Sequence, residues 1–281
     1  MSLVAIIGAG EIGGAVARAL AVRARIDTVR LIDDKDSVAA GKALDLTQSG
    51  PISRSDTRIE GGADLAAAAG AAAIVLADPA GSPEWSGEAG LSMLRRLQTG
   101  GFLESAVVIC AGAAHHTLMQ RGFDDLRLPR RRVIGSSPES LASTARALIA
   151  IEAGAASNQV ALVLMGRPPE RIVIPWSEAS IAGQGVASVL TAPQLNLVER
   201  RLRGLWPPGP NALGTAAALF CESVVTGSRR IVSAFVSLDR DNGTTAPVCS
   251  WPVSLGPSGL ERITRPVLSA RDQVLVDEVL Q

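Results

Sequence analysis

The stretch Leu3-Val4-Ala5-Ile6-Ile7-Gly8-Ala9-Gly10-Glu11-Ile12-Gly13-Gly14-Ala15-Val16 decides how the rest of the chain is read. An apolar run enters a glycine turn and continues into an alanine-rich segment, Ala15 to Val22, which is the pattern of a buried strand, a tight turn and a helix. Gly8 permits the sharp turn, Gly10 lets the backbone approach a pyrophosphate, and Gly13 lets the helix pack on the strand. The helix N-terminus then offers free N–H groups to an anion, with Glu11 and Ile12 contributing from the same loop. This is the dinucleotide-binding fingerprint. The competing reading is a glycine turn in an α/β fold that binds no nucleotide.

A second strand is expected at Thr28 to Ile32, and it ends in Asp33. That acid lies about 20 residues beyond the last glycine of the fingerprint, where a carboxylate accepts hydrogen bonds from adenosine ribose hydroxyls and repels a 2′-phosphate. The expected cofactor is therefore NAD rather than NADP.

The composition sets wider bounds. With 281 residues, 47% of them hydrophobic, the chain has core enough for two α/β lobes sharing an interface. Lys+Arg and Asp+Glu both total 27, so the net charge is zero and gives no general attraction to nucleic acid or an anionic membrane. Cys110, Cys221 and Cys249 sit in apolar surroundings without metal-ligand spacing, as reduced thiols serving as small core residues do. No charged leader precedes the first strand and no apolar run is long enough to cross a bilayer, so a cytoplasmic location is the expectation.

Beyond Asp33, the segment Asp34 to Gln48 carries apolar residues at helical intervals and includes Gly41-Lys42-Ala43-Leu44-Asp45-Leu46. The combination of G-A-G-x-I-G, L-I-D and G-K-A-L-D-L resembles the lactate/malate dehydrogenase family, and more its malate dehydrogenase branch. The resemblance implies a Rossmann-type doubly wound parallel sheet over residues 1–135. It also implies an α+β substrate-type and oligomerisation domain over 136–281. In that family the 34–48 helix joins a subunit interface, so the resemblance implies a homo-oligomer. An amphipathic helix packed on its own sheet explains the same pattern.

Further strands are expected at Arg58 to Glu60, Ala71 to Ala77, Ala106 to Cys110 and Gln159 to Leu164, with helices at Leu91 to Leu97, Gln194 to Leu205, Ala212 to Val225 and Ser269 to Leu280. A short helix fits Asp64 to Ala69. Ser136-Ser137-Pro138-Glu139 offers capping residues to a helix running to about Ile151. Arg230 to Leu238, Asp241-Asn242-Gly243 and Val248 to Leu255 read as strand, turn and strand.

The resemblance breaks where the chemistry should be. The turn-rich loop Asp78 to Gly87, expected to be mobile beside the cofactor, contains none of the arginines that in the family grip the substrate. Cys110, Ala111 and Gly112 stand where the family has Thr-Asn-Pro. Leu141 and Thr144 stand where it has Asp and Arg, and Ala216, next to Thr215, stands at a Ser or Thr position. Arg167 occupies the catalytic histidine's place, and a guanidinium stays protonated with no acceptor nitrogen. Pro175 to Gly183 nonetheless still follows the family pattern.

Two readings follow. In one, the chain is a family member that keeps the fold and NAD without standard malate or lactate turnover. In the other, it is an active NAD-dependent oxidoreductase on a hydroxy acid, keto acid or other small substrate, with a relocated base. His115, His116 and Glu170 are the candidate catalytic residues, and Arg167 or Arg171 would hold an anion. His115 and His116, the only histidines, are more simply read as partly exposed residues of a helix start. The basic triplet Arg130-Arg131-Arg132 reads as solvated surface.

Overall fold

The structure is a computed structural model and describes residues 2–238 and 246–280. The first half alternates strand and helix: β1 (Leu3–Ile7), α1 (Glu11–Arg23), β2 (Thr28–Ile32), α2 (Asp36–Ser53), β3 (Arg58–Gly62), β4 (Ala73–Leu76), α3 (Gly87–Thr99), β5 (Val107–Cys110), α4 (His115–Asp125) and β6 (Val133–Gly135). The second half opens with α5 (Ser137–Ala153), the short strands β7 (Val160–Ala161), β8 (Met165–Arg167), β9 (Arg171–Val173), β10 (Ser180–Ile181) and β11 (Gln184–Gly185), and the single turn α6 (Val186–Val189). It continues with α7 (Ala192–Arg203), α8 (Pro210–Thr226), β12 (Ile231–Val236), β13 (Cys249–Gly256), β14 (Gly259–Ile263) and α9 (Ala270–Leu280).

Strands β1 to β6 pair in parallel in the order β3-β2-β1-β4-β5-β6, that of a Rossmann-type sheet. β4 and β5 are buried at every position because helices cover both faces, which is why they read as continuous apolar runs rather than alternating ones. Ile7 lies between Ile32 and Leu76 across the sheet. The carboxyl ends of β1, β2 and β4, with Gly8, Asp33 and Asp78 just beyond them, therefore meet at one edge.

The sheet does not stop at β6. Phe235 of β12 pairs antiparallel with Gly135, and β13, β8 and β9 extend the same surface, with β14 branching from β13. A separate three-stranded sheet joins β7, β10 and β11. Helix α8 lies against α1 so closely that a Cβ at Gly214 would come within 2.7 Å of the Ala15 carbonyl carbon. The buried Glu222 of α8 pairs with Arg23 at the far end of α1.

Several expectations change. The run expected as a strand from Gln159 to Leu164 pairs only at Val160 and Ala161, because the Leu164 N–H donates to Ser233 Oγ (2.9 Å) and the Leu164 carbonyl accepts from Ser250 Oγ (2.7 Å). These side chains replace the ladder. Residues 64–69 make a 3₁₀ turn, Leu65–Ala68, capped by Asp64, rather than an α-helix. α2 runs on to Ser53 through Pro51.

Ser136 and Ser137 cap nothing: both hydroxyls are buried without a partner. Glu139 turns inward to Arg146 and to the Ser233 N–H (both 2.8 Å). The expected turn Asp241-Asn242-Gly243 lies outside the described residues, although β12 and β13 pair as a hairpin's strands do.

Candidate functional site: a cofactor cleft with its own acid

The glycine turn has the geometry its sequence demands. Gly8 has φ +109°, a region that excludes side chains, and its N–H donates to the Ile32 carbonyl (2.7 Å). A Cβ on Gly13 would collide with the Gly8 carbonyl, so only glycine lets α1 start this close to β1. The turn opens on a cleft of about 720 Å³ lined by Ala9 to Ile12, Val38, Lys42 and the loop from Asp78 to Glu84, and closed by Pro207, Pro208, Pro210 and Leu213 from the second half.

Asp33 sits at the end of β2 as expected, but its carboxylate is nearly buried and already engaged. Oδ2 accepts from the N–H groups of Ala9 (2.7 Å) and Ala80 (2.8 Å), and Oδ1 from Lys35 (2.9 Å). Asp33 thus fastens the loop after β4 to the glycine turn. Lys35 Nζ reinforces this by donating to the Ala80 carbonyl (2.7 Å), while Lys42 Nζ donates to the Gly10 carbonyl (2.6 Å).

Sequence reasoning missed the acid in the centre. Asp78, the second residue after β4, places Oδ2 on the Glu11 N–H (2.8 Å) and Oδ1 on the Gly13 N–H (3.0 Å), and its own carbonyl accepts from Gly10 (2.8 Å). The space where a Cβ of Gly10 would lie is filled by this carboxylate. Farther along the loop, the half-buried Glu84 accepts from the Ala114 N–H at the start of α4 (3.3 Å to either oxygen), and burial pushes its pKa up. One loop therefore supplies an acid to each of two helix N-termini facing the cleft. The available signal was the position: an acid immediately after an apolar strand that neighbours the fingerprint strand.

Of the catalytic candidates, His115 is fully buried rather than partly exposed. Its Nδ1 accepts from the Gly112 N–H (3.0 Å), and Nε2 lies 3.7 Å from Glu84 Oε2 without a hydrogen bond. Burial pushes its pKa down to about 3. His116 is half-buried and its ring packs on Phe235, with centroids 5.2 Å apart and planes at 39°. Burial lowers its pKa most, with Glu170 raising it and Arg167 lowering it by their charges. The structure thus brings His116, Arg167 and Glu170 together electrostatically, with His116 Nδ1 buried and unpartnered. Arg171 is elsewhere, 2.8 Å from Glu278 of α9.

Residues 2–97 match the family model described as the lactate/malate dehydrogenase NAD-binding domain. The N-terminal part of this chain is similar to that domain. Its cofactor is NAD, and the chain as a whole has the lactate/malate dehydrogenase fold. It is 26% identical to a malate dehydrogenase of Cytophaga hutchinsonii over 98% of this chain and 93% of the relative. To a malate dehydrogenase of Thermomicrobium roseum it is 28% identical over 92% of this chain and 89% of the relative. The malate dehydrogenase structure from Salinibacter ruber superposes with a TM-score of 0.82 at 23% identity, covering 99% of this chain and 93% of the other. A lactate dehydrogenase from Cryptosporidium parvum gives 0.85 at 23% identity, covering 99% and 94%.

The NAD-binding domain fits its cofactor in part. The turn and the cleft have the form of a dinucleotide site, whereas the Asp33 carboxylate is nearly buried and already held by three N–H groups. Two amides of the turn, those of Glu11 and Gly13, are closed to a pyrophosphate because the Asp78 carboxylate holds their hydrogens; the Ile12 amide is not among those it holds.

Among the described residues, no group of three or more His, Cys, Asp or Glu side chains is arranged to hold a metal ion, and no helix is long and apolar enough to cross a membrane. All three cysteines are free and buried, with the Cys110 thiol pushed up to about 12 and the Cys221 and Cys249 thiols also raised by burial.

Proposed function

We propose that this chain is an NAD-binding, malate dehydrogenase-like protein that does not carry out standard malate or lactate turnover. It serves as a cytoplasmic, homo-oligomeric binding or assembly module, with residues 1–135 as the cofactor unit and 136–281 as the substrate-type and oligomerisation unit. The observation that carries this reading is Arg167 at the place of the family's histidine. Oxidation of a 2-hydroxy acid needs a base for the hydroxyl proton, a carboxylate to orient that base and a guanidinium to clamp the substrate carboxylate. Arg167 has no acceptor nitrogen, and Leu141 and Thr144 supply neither the orienting acid nor the clamp. Loss of the base alone costs about 10²–10⁴ in rate, before the loss of orientation is added.

A specific observation favours the second reading, an active oxidoreductase with a relocated base. His116 is neutral near pH 7 because burial lowers its pKa, and the charges of Arg167 and Glu170 reach it. In that reading His116 takes the substrate proton and Arg167 holds an anion.

A spectrophotometric NADH assay over a panel of 2-hydroxy and 2-keto acids separates the two. The first reading expects no turnover above background with malate, oxaloacetate, lactate or pyruvate. Robust turnover that His116→Ala abolishes and that falls as pH drops through the lowered pKa of His116, below the ordinary histidine range, replaces it with the second. Sedimentation velocity checks the assembly claim, which a monomer at micromolar concentration would sink.

A further inference from the structure

We infer that Asp78 is an internal stand-in for the cofactor's pyrophosphate and sets the affinity of the cleft for dinucleotides. The inference rests on the reading of this cleft as an NAD site and adds the residue that controls entry to it.

The N–H groups of Glu11 and Gly13 each have a single hydrogen, and the two oxygens of Asp78 take both, at 2.8 and 3.0 Å. A phosphate oxygen needs those same hydrogens, so Asp78 and a pyrophosphate exclude one another. The exclusion is also steric: Asp78 is 7% exposed and its carboxylate fills the space beside Gly10 that a diphosphate would enter.

The acid is held there from several sides. Its carbonyl accepts from Gly10, the next residues are tied to Asp33 and Lys35 through Ala80, and the absence of a side chain at Gly10 makes the room the carboxylate fills. Of the two lysines near the turn, Lys42 is turned onto the Gly10 carbonyl and Lys35 onto the Ala80 carbonyl. Glu11 and Glu84 add two further acids to the wall. The glycine that in a dinucleotide site makes way for the ligand here makes way for a side chain of the protein.

The test is calorimetric titration of the full chain and of Asp78→Ala with NADH and, separately, with inorganic pyrophosphate, with melting temperature followed in parallel. The expected result is an increase of about 10- to 100-fold in NADH affinity for Asp78→Ala, the range of a displaced charge-assisted contact. Pyrophosphate should raise the melting temperature of the variant and leave that of the wild type unchanged. Pyrophosphate binding to Asp78→Ala without NADH binding supports the stand-in and rejects the NAD reading. Equal NADH affinity in wild type and variant overturns the stand-in and leaves the NAD reading in place. A folded Asp78→Ala that binds neither ligand overturns the stand-in. Should Asp78→Ala not fold, Asp78→Asn keeps the shape, removes the charge and decides the same comparisons.

Discussion

His115 shows how far a single residue departs from the role its type suggests. A histidine near a cofactor cleft reads as a base, yet this one is sealed, accepts from Gly112 and has its pKa pushed down to about 3 by burial. The unfolded chain binds that proton more readily than the folded one. The contribution of His115 is therefore complete above pH 6.5 and is lost as pH falls toward 3. Glu84 beside it, with its pKa raised by burial, acts in the opposite sense, gaining stability as pH falls through its raised value. Urea unfolding at pH 7.5 and pH 5 isolates the histidine: wild type should lose more stability than His115→Asn, which keeps an acceptor oxygen but does not titrate. An equal loss in both proteins would contradict the assignment. Arg23 makes a second case, since removing it strands the buried carboxylate of Glu222. Arg23→Ala should cost about 1–3 kcal/mol, partly recovered in Arg23→Ala/Glu222→Leu, as read from urea midpoints.

At the scale of elements, the loop after β4 carries the largest difference from expectation. Its turn-forming residues read as a mobile segment, but Asp33, Lys35 and the α1 and α4 N-termini all bond to it. Those bonds link residues dozens of positions apart, which local patterning does not report. Packing of α8 on α1 is a second element-level device, because Gly214 removes the side chain at their closest approach. Gly214→Val should force the helices apart and lower stability by about 1–3 kcal/mol, measured by chemical unfolding. At α7, Thr191 and Gln194 bond reciprocally across the first turn. Thr191→Ala should cost about 1 kcal/mol, and an unchanged midpoint would show that the cap contributes nothing.

For the whole molecule, the main sheet runs without interruption from β3 to β9. β12 joins β6, while α8 packs on α1, so residues of the second half complete the core of the first. Thermal unfolding should therefore be one cooperative transition, the same by far-UV circular dichroism and tryptophan fluorescence; two separated transitions would show that the halves fold independently.

The parts of this molecule that could be read from residues alone are those governed by short-range sterics and periodicity. The strand into Gly8, the close start of α1 at Gly13 and the placement of Asp33 after β2 depend on glycine's missing side chain and on apolar spacing, which the chain carries locally. That Arg167 cannot act as a base was equally visible, because a guanidinium lacks an acceptor wherever it lies. The occupant of the cradle was not. Asp78 follows Gly10 by most of a βαβαβ unit, and only parallel pairing of β1 with β4 brings its carboxylate onto the Glu11 and Gly13 amides. The charges of Arg167 and Glu170 likewise reach His116 only once the second half has folded against the first. A hydrogen bond acts over about 3 Å, so residues distant in the chain share one only after the sheet has set their separation.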